Sequence, residues 1–383
     1  MECGRLLSLL LAGLSSLALL PGCAGGARPS TPPTFVAAWT VSGGQVRTVE
    51  SNDGIVWRNY ASQNLQGNAS ESDAGPAVAH DGGLNWMLMW PNPRGLDYKT
   101  GIGGVPLSGQ GGVTWEPQPI QGQLSFTALG GRPVGSPALA HGGDRWVVVF
   151  RTMFTGNRLK LVRSQPGSAT AWEAVRDITV RTPDGIRNIS TQRNPALAFG
   201  QGTFVLVHRG QFDYIASTSP DGITWTDRGP IARIADAEDS DPAISFSNGS
   251  FYVALRKILR DPRWFGSPPA TAEIHRSADG ITWTRIADQA GYFALGEFGP
   301  GFAFGDFGNN ACKAVLISQA VAVFPNSIGF DRGIQSWSGA PPAPHTCTNP
   351  SLLLFSPSEA AGEAVAADIP TGRTALAFGR TSP

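Results

Sequence analysis

Three arginines stand at the same place in three segments of the chain. Arg151 closes Val148-Val-Phe-Arg151, Arg209 closes Leu206-Val-His-Arg209, and Arg256 closes Val253-Ala-Leu-Arg256. Guanidinium groups facing one spot could hold a carboxylate, because the planar fork of donors matches its two oxygens. The same three could equally form a solvated rim that bonds loop carbonyls, the ordinary fate of charged groups near a surface. Carboxylates offer a second chemistry. Asp241, in Glu238-Asp-Ser-Asp241-Pro242, could converge with Glu297 or Asp73, and glycoside hydrolysis needs two carboxyls about 5–9.5 Å apart. Asp-Pro is also a common turn dipeptide.

The elements that must position these groups recur along the chain. A short strand is expected at Pro76-Ala-Val-Ala-His80, Pro137-Ala-Leu-Ala-His141, Pro195-Ala-Leu-Ala-Phe199, Pro242-Ala-Ile-Ser-Phe246 and Pro300-Gly-Phe-Ala-Phe304, with a sixth copy at Thr374-Ala-Leu-Ala-Phe378. Proline is permitted at a strand's first residue, where no ladder partner is yet needed. A stronger strand follows each of the first five, at Trp86–Trp90, Trp146–Phe150, Phe204–His208, Phe251–Leu255 and Lys313–Ile317. Short apolar runs divided by Gly or Asn turns read as antiparallel meanders.

A third element ends in a Ser-x-Asp-Gly-x-x-Trp turn, carrying Asp53 and Trp57, Asp221 and Trp225, and Asp279 and Trp283. Weaker relatives end at Trp115, Trp172 and Trp337. The Asp can bond the backbone of its own turn and the Gly supplies a positive φ, so the role is structural. The Trp is expected to pack against the next unit.

These turns resemble the Asp-box (BNR) repeats of sialidase-like β-propellers, over residues 35–383. Inner-strand spacings of 61, 58, 47, 58 and 74 residues suit four-stranded blades. The count is six, with five or seven left open. Phe35-Val-Ala-Ala-Trp39 looks like a second strand with no first strand before it, and Thr374–Phe378 could supply one by joining the chain ends.

In a propeller the starts of inner strands and the ends of second strands open on one face. That face would gather Asp73, Arg193, Asp239, Asp241 and Glu297 with Arg94, Arg151, Arg209, Arg256, Asp261 and Trp264. Arg193-Asn-Pro195 keeps the family's Arg-x-Pro spacing, which implies that Arg193 binds a sugar carboxylate, with Arg209 as a second arginine. The resemblance further implies Asp213 as general acid and a Tyr–Glu nucleophile, for which Tyr292 with Glu297, or Tyr98 beside Asp97, are available. Asp241-Pro242 separately resembles the strand start of five-bladed arabinanase and fructosidase propellers.

Composition fits this picture. The 383 residues carry 48 Gly, 30 Pro and 11 Trp with 15% charged residues and zero formal net charge, as an all-β chain with many turns would. The absence of a long basic run argues against nucleic-acid binding. Residues 1–22 read as an export signal, and Leu20-Pro-Gly-Cys23 resembles a bacterial lipobox, so Cys23 is expected to be lipidated and residues 24–34 to tether the domain to the cell envelope. Cys312 and Cys347 would form one disulfide. The five histidines are too scattered to argue for a metal site or a triad, and no cofactor is expected. Three functions remain open: binding of a glycan or other anionic ligand at the central mouth, exo-glycoside hydrolysis, and a protein-interaction scaffold.

Overall fold

The computed structural model describes residues 34–41, 44–54, 57, 74–103, 112–116, 122–153, 156–233, 240–258, 270–288, 301–308, 311–322, 331–340, 354–357 and 374–379. Residues 1–22, Cys23, Asp73, Glu238, Asp239, Asp261, Trp264, Tyr292, Glu297 and Cys347 lie outside the described residues. All regular elements among the described residues are strands.

The chain opens with β1 (Thr34–Val41) and β2 (Gln45–Ser51). Blade 1 follows, built from β3 (Ala77–His80), β4 (Asn85–Asn92), β5 (Gly95–Gly103), β6 (Val113–Trp115) and β7 (Gly122–Ser125). Blade 2 holds β8 (Pro133–Gly142), β9 (Arg145–Thr152), β10 (Leu159–Arg163) and β11 (Arg176–Asp177). Blade 3 begins with a hairpin, β12 (Thr179–Thr182) and β13 (Gly185–Asn188). It continues through β14 (Ala196–Gly200), β15 (Thr203–Arg209), β16 (Asp213–Ser219) and β17 (Trp225–Arg233), against which the hairpin is added at the outer edge. Blade 4 is β18 (Ala243–Ser247), β19 (Ser250–Ile258), β20 (Ala270–Ser277) and β21 (Thr284–Asp288). Blade 5 is β22 (Gly301–Gly308), β23 (Ala311–Ala322), β24 (Asp331–Ala340) and β25 (Leu354–Pro357). Finally β26 (Ala375–Gly379) pairs antiparallel with β1, giving a three-stranded terminal sheet in the order β2-β1-β26.

This is a β-propeller, but not of six equal blades. Five blades carry four or more strands, and the terminal sheet has three among the described residues. Neighbouring sheets share one buried cluster each. Val147 and Val149 of blade 2 meet Leu206 and Trp225 of blade 3. Val205 and Val207 on the other face of β15 meet Phe251 and Val253 of blade 4. Strand β1 is buried on both faces: Phe35 and Ala37 pack with Ala303 and Val315 of blade 5, while Val36 and Ala38 pack with Trp86 and Leu88 of blade 1. A strand covered on both sides reads as a continuous apolar run, which is why Thr34-Phe-Val-Ala-Ala-Trp-Thr-Val41 lacks alternation. Each large side chain so buried contributes about 1.5–3 kcal/mol.

The Ser-x-Asp-Gly turns knit each sheet to the one before it. Asp221 Oδ1 accepts the amide protons of Ile223 and Thr224 at 2.8 and 2.7 Å, and Asp279 Oδ1 those of Ile281 and Thr282 at 2.8 and 2.9 Å. Ser219 Oγ and Ser277 Oγ each donate to the same carboxylates at 2.9 Å. Burial pushes both carboxyls up, but these donors outweigh it and hold them below the usual range. The turn glycines have φ near +70°, and each sits on a valine: an added Cβ would lie 2.5 Å from Val315 at Gly54, 2.9 Å from Val147 at Gly222, and 2.6 Å from Val205 at Gly280. The tryptophans follow suit. Trp57, Trp225 and Trp283 pack into the clusters shared with the preceding sheet rather than the next one, because the turn projects backwards from the end of the third strand.

Two local expectations change. Pro137 does not begin its strand; β8 starts at Pro133, and a register break between Val134 and Ala138 relieves Pro137 of any ladder bond. The stretch ending at Trp337, expected as a weak turn, runs inside β24. Within 350–369 the described residues Leu354–Pro357 form the fourth strand of blade 5.

Candidate functional site

The inner strands β3, β8, β14, β18, β22 and β26 run side by side around the axis. Their small residues line a narrow axial channel of about 60 Å³, walled by Pro76, Pro137, Pro195, Ala243, Gly301, Thr374 and their neighbours. That is room for a water or two, against the roughly 300–1,000 Å³ of ligand pockets. A sugar ring is too large for this channel, and the candidate residues lie on the face where the inner strands start.

On that face the residue just before each inner-strand proline reaches the neighbouring blade. Ser136 Oγ accepts the Gly75 amide proton at 2.7 Å. Asn194 Oδ1 accepts the Ser136 amide at 3.0 Å. Asp241 Oδ1 accepts the Asn194 amide at 2.8 Å, and its Oδ2 takes the Asn194 Nδ2 proton at 2.6 Å. One repeat position thus carries Gly, Ser, Asn and Asp in turn, and the Ser, Asn and Asp side chains each tie the preceding blade. Gly135 makes the belt possible. Its φ is +70°, and a Cβ there would lie 2.0 Å from Asn194 Oδ1.

The arginines meet this belt from the ends of the second strands. Arg151, closing β9, donates from Nη1 to Gln192 O at 2.6 Å and from Nη2 to Asn194 Oδ1 at 3.2 Å. It therefore bonds the loop leading into the next blade, as a rim arginine would, while remaining half-buried. Arg193 sits between those two contacts, half-buried, in a loop held by Thr191 Oγ1, which accepts the Arg193 amide proton at 3.2 Å. Arg209 closes β15 and is also half-buried, four residues before Asp213, the first residue of β16. Arg256 occupies the equivalent place in β19. The structure thus brings Arg151 and Asp241 together through Asn194, with Arg193 as the preceding residue of the chain.

Asp241, considered above as a hydrolytic carboxylate, is only 3% exposed with both oxygens engaged by Asn194. This geometry makes it an interblade tie. Asp213 is half-buried at the tip of its hairpin, where its carbonyl accepts the Gly210 amide proton at 2.7 Å. Tyr292 and Glu297 lie outside the described residues. Tyr98 is withdrawn into the core of blades 1 and 2, its ring against Trp172 at 5.6 Å, and burial raises its neighbour Asp97 above the usual range. His80 and His141, at the opposite ends of β3 and β8, pack on Trp86 and Trp146. Burial depresses His80 to about 4, so it stays neutral at neutral pH.

Two residues escaped notice in the sequence. Asn194 is the hub of the belt, and its signal was the polar side chain before Pro in Ser136, Asn194 and Asp241 alike. Tyr214 is buried beside it and donates its hydroxyl proton to Ser240 O at 2.9 Å; burial raises its pKa. Nothing in its local spacing marked it.

No family model matches the sequence and no curated protein matches it. Similar solved structures include an α-L-arabinofuranosidase of Fusarium graminearum in complex with an iminosugar inhibitor, at 11% identity and a TM-score of 0.45 over 68% of this chain and 76% of that one. Others are an α-L-arabinofuranosidase of Clostridium thermocellum, at 12% identity and 0.41 over 75% and 95%, and a β-fructofuranosidase of Bombyx mori, at 11% and 0.43 over 75% and 62%. Likenesses of this size assign neither an activity nor a substrate to the chain.

Proposed function

We propose that this propeller is an envelope protein that recognises an acidic glycan, or another anionic ligand, on its arginine-bearing mouth. The observation that carries the reading is Arg151 bonded to Asn194, with Arg193 next to Asn194 in the chain and Arg209 at the equivalent strand end of the following blade. The narrow axial channel supports recognition at the rim rather than in a deep pocket. On this reading the sialidase-like ancestry suggested by the turns supplies the scaffold, and the terminal sheet acts as the sixth blade that closes the ring. The lipobox resemblance supports an anchor at Cys23, and a Cys312–Cys347 disulfide would staple blade 5.

The test uses residues 24–383 with a fluorogenic sialoside and a panel of neutral aryl glycosides, read for both turnover and binding. The reading expects retention of acidic ligands without turnover, and loss of retention in Arg193→Ala. Sialoside cleavage abolished by Arg193→Ala and Asp213→Asn would replace it with the exo-glycosidase. Failure of every sugar to bind a folded protein would leave the interaction scaffold.

A further inference from the structure

The exposed side chains of the mouth face speak to the length of the ligand. Among the described residues, the apolar side chains most exposed on this face stand on the arc of blades 1 to 3. Phe126 is 49% exposed on the loop after β7, Met153 is 40% exposed just after β9, and Phe212 is 68% exposed at the tip of the β15–β16 turn. All three lie at strand ends that open on the mouth. Main-chain bonds fix two of them beside arginines of their own blades: the Phe126 amide donates to Arg94 O at 2.7 Å in blade 1, and the Met153 amide to Arg132 O at 3.0 Å in blade 2.

Cations run along the same arc. Arg94 at the β4–β5 turn and Arg158 before β10 are exposed, and Arg132 before β8 is half-buried. They flank the central Arg151, Arg193 and Arg209. Carboxylates on the arc are fewer among the described residues. Asp97 and Asp241 are buried. Asp177 serves two cations at once, 3.4 Å from Lys160 Nζ and 4.0 Å from Arg158 Nη1. Asp213 is half-buried.

Resting on the reading above, we infer that the ligand is an extended acidic polysaccharide lying along the arc from Arg94 to Phe212, and not a single terminal sugar. Neighbouring sheets pack about 10 Å apart, so the arc is on the order of 20 Å long, more than one sugar ring spans. Arginines spaced along it match carboxylates that repeat along a polyuronate chain. Phe126 and Phe212 offer flat apolar faces to the C–H faces of the rings between the charges.

The experiment measures affinity for polygalacturonate, monomeric galacturonate, a neutral dextran and single-stranded DNA, at low and high salt. The proteins are wild type, the double variant Arg94→Glu/Arg158→Glu, and Phe212→Ala, each checked for an unchanged thermal transition. The polymer is expected to bind more tightly than the monomer and to weaken with salt, since exposed charges are screened. The double variant should lose about tenfold or more for the polymer, equivalent to roughly 1.4 kcal/mol, and nothing for the monomer. Phe212→Ala should weaken the polymer without changing its salt dependence. Monomer binding as tight as polymer binding, or a double variant with undiminished polymer affinity, would overturn the extended site while leaving recognition at the central arginines intact. Equal binding of DNA would overturn it in favour of unspecific attraction of polyanions. No acidic sugar bound at any length would remove both readings.

Discussion

Two aspartates of this chain sit in repeated positions and behave differently. Asp279 lies in a turn whose companions, at Asp53 and Asp221, use the same residues, and Asp221 makes the same bonds within its own turn. Asp241 lies at the mouth in a position that changes from Gly75 to Ser136 to Asn194 around the ring, and it spends its oxygens on a neighbouring blade. The carboxylate bonds of the turn are a local device, made within each repeat by the same residues. The belt is a relay between blades, so its members differ and depend on one another. Variation at a structurally equivalent position is where a repeat protein can specialise, and Arg151 attaches to the belt through Asn194.

The contrast can be broken by mutation. Asp241→Ala strands the Asn194 amide and Nδ2 in a buried setting and should cost about 3–4 kcal/mol, read as a lowered thermal transition; it should also weaken acidic-glycan binding by loosening Asn194 under Arg151. A stability loss within a few tenths of a kcal/mol would mean that the belt is ornamental.

Glu50 marks a second interblade tie. It is buried between the terminal sheet and blade 1, with both oxygens 3.0 Å from the Val113 amide, and burial lifts its pKa to about 7 against the pull of that donor. A carboxyl raised in the folded state leaves the native protein holding the extra proton between pH 4 and 7, so stability declines as pH rises through that window. Wild type should lose about 2–3 kcal/mol relative to Glu50→Gln between pH 5 and 8. Parallel pH profiles for the two proteins would contradict this.

Changes in the turns should do less. Gly280→Ala meets both a φ of +72° and Val205 at 2.6 Å, and is expected to destabilise by about 1–3 kcal/mol in thermal melts while leaving ligand affinity untouched. Asp279→Asn should cost about 1 kcal/mol, because the turn is largely solvated. Its carboxyl is depressed in the fold, so that contribution is present above the unfolded pKa near 3.9 and vanishes as pH falls through the lower folded value. The melting difference from wild type should therefore close in acid. A difference that persists at pH 2 would show that shape, and not charge, holds the turn.

Much of the framework was legible because it is written in local chemistry. Pro-Ala-x-Ala marks crowded inner strands, and Ser-x-Asp-Gly announces its own bonds and its positive φ. The pairing of β1 with β26 was legible too, from a second strand at Phe35–Trp39 with no first strand before it and a spare inner-strand copy at Thr374–Phe378; the three-stranded make-up of that sheet among the described residues was not. The backward packing of the turn tryptophans was also hidden, because spacing gives a position along a strand but not the side from which a neighbour approaches. At the mouth, spacing brought Arg151, Arg193 and Asp241 to one face but could not say that Asn194 joins Arg151 to Asp241. Side-chain contacts between repeats leave no periodic trace when each member is a different residue.

The most direct test of the account is retention of the folded 24–383 chain on an array of acidic and neutral glycans, compared with Arg209→Ala. The account predicts selective retention by acidic glycans, lost or reduced at least tenfold in the variant, the equivalent of about 1.4 kcal/mol or more. Selective retention by neutral glycans, or acidic retention indifferent to Arg209, would contradict it.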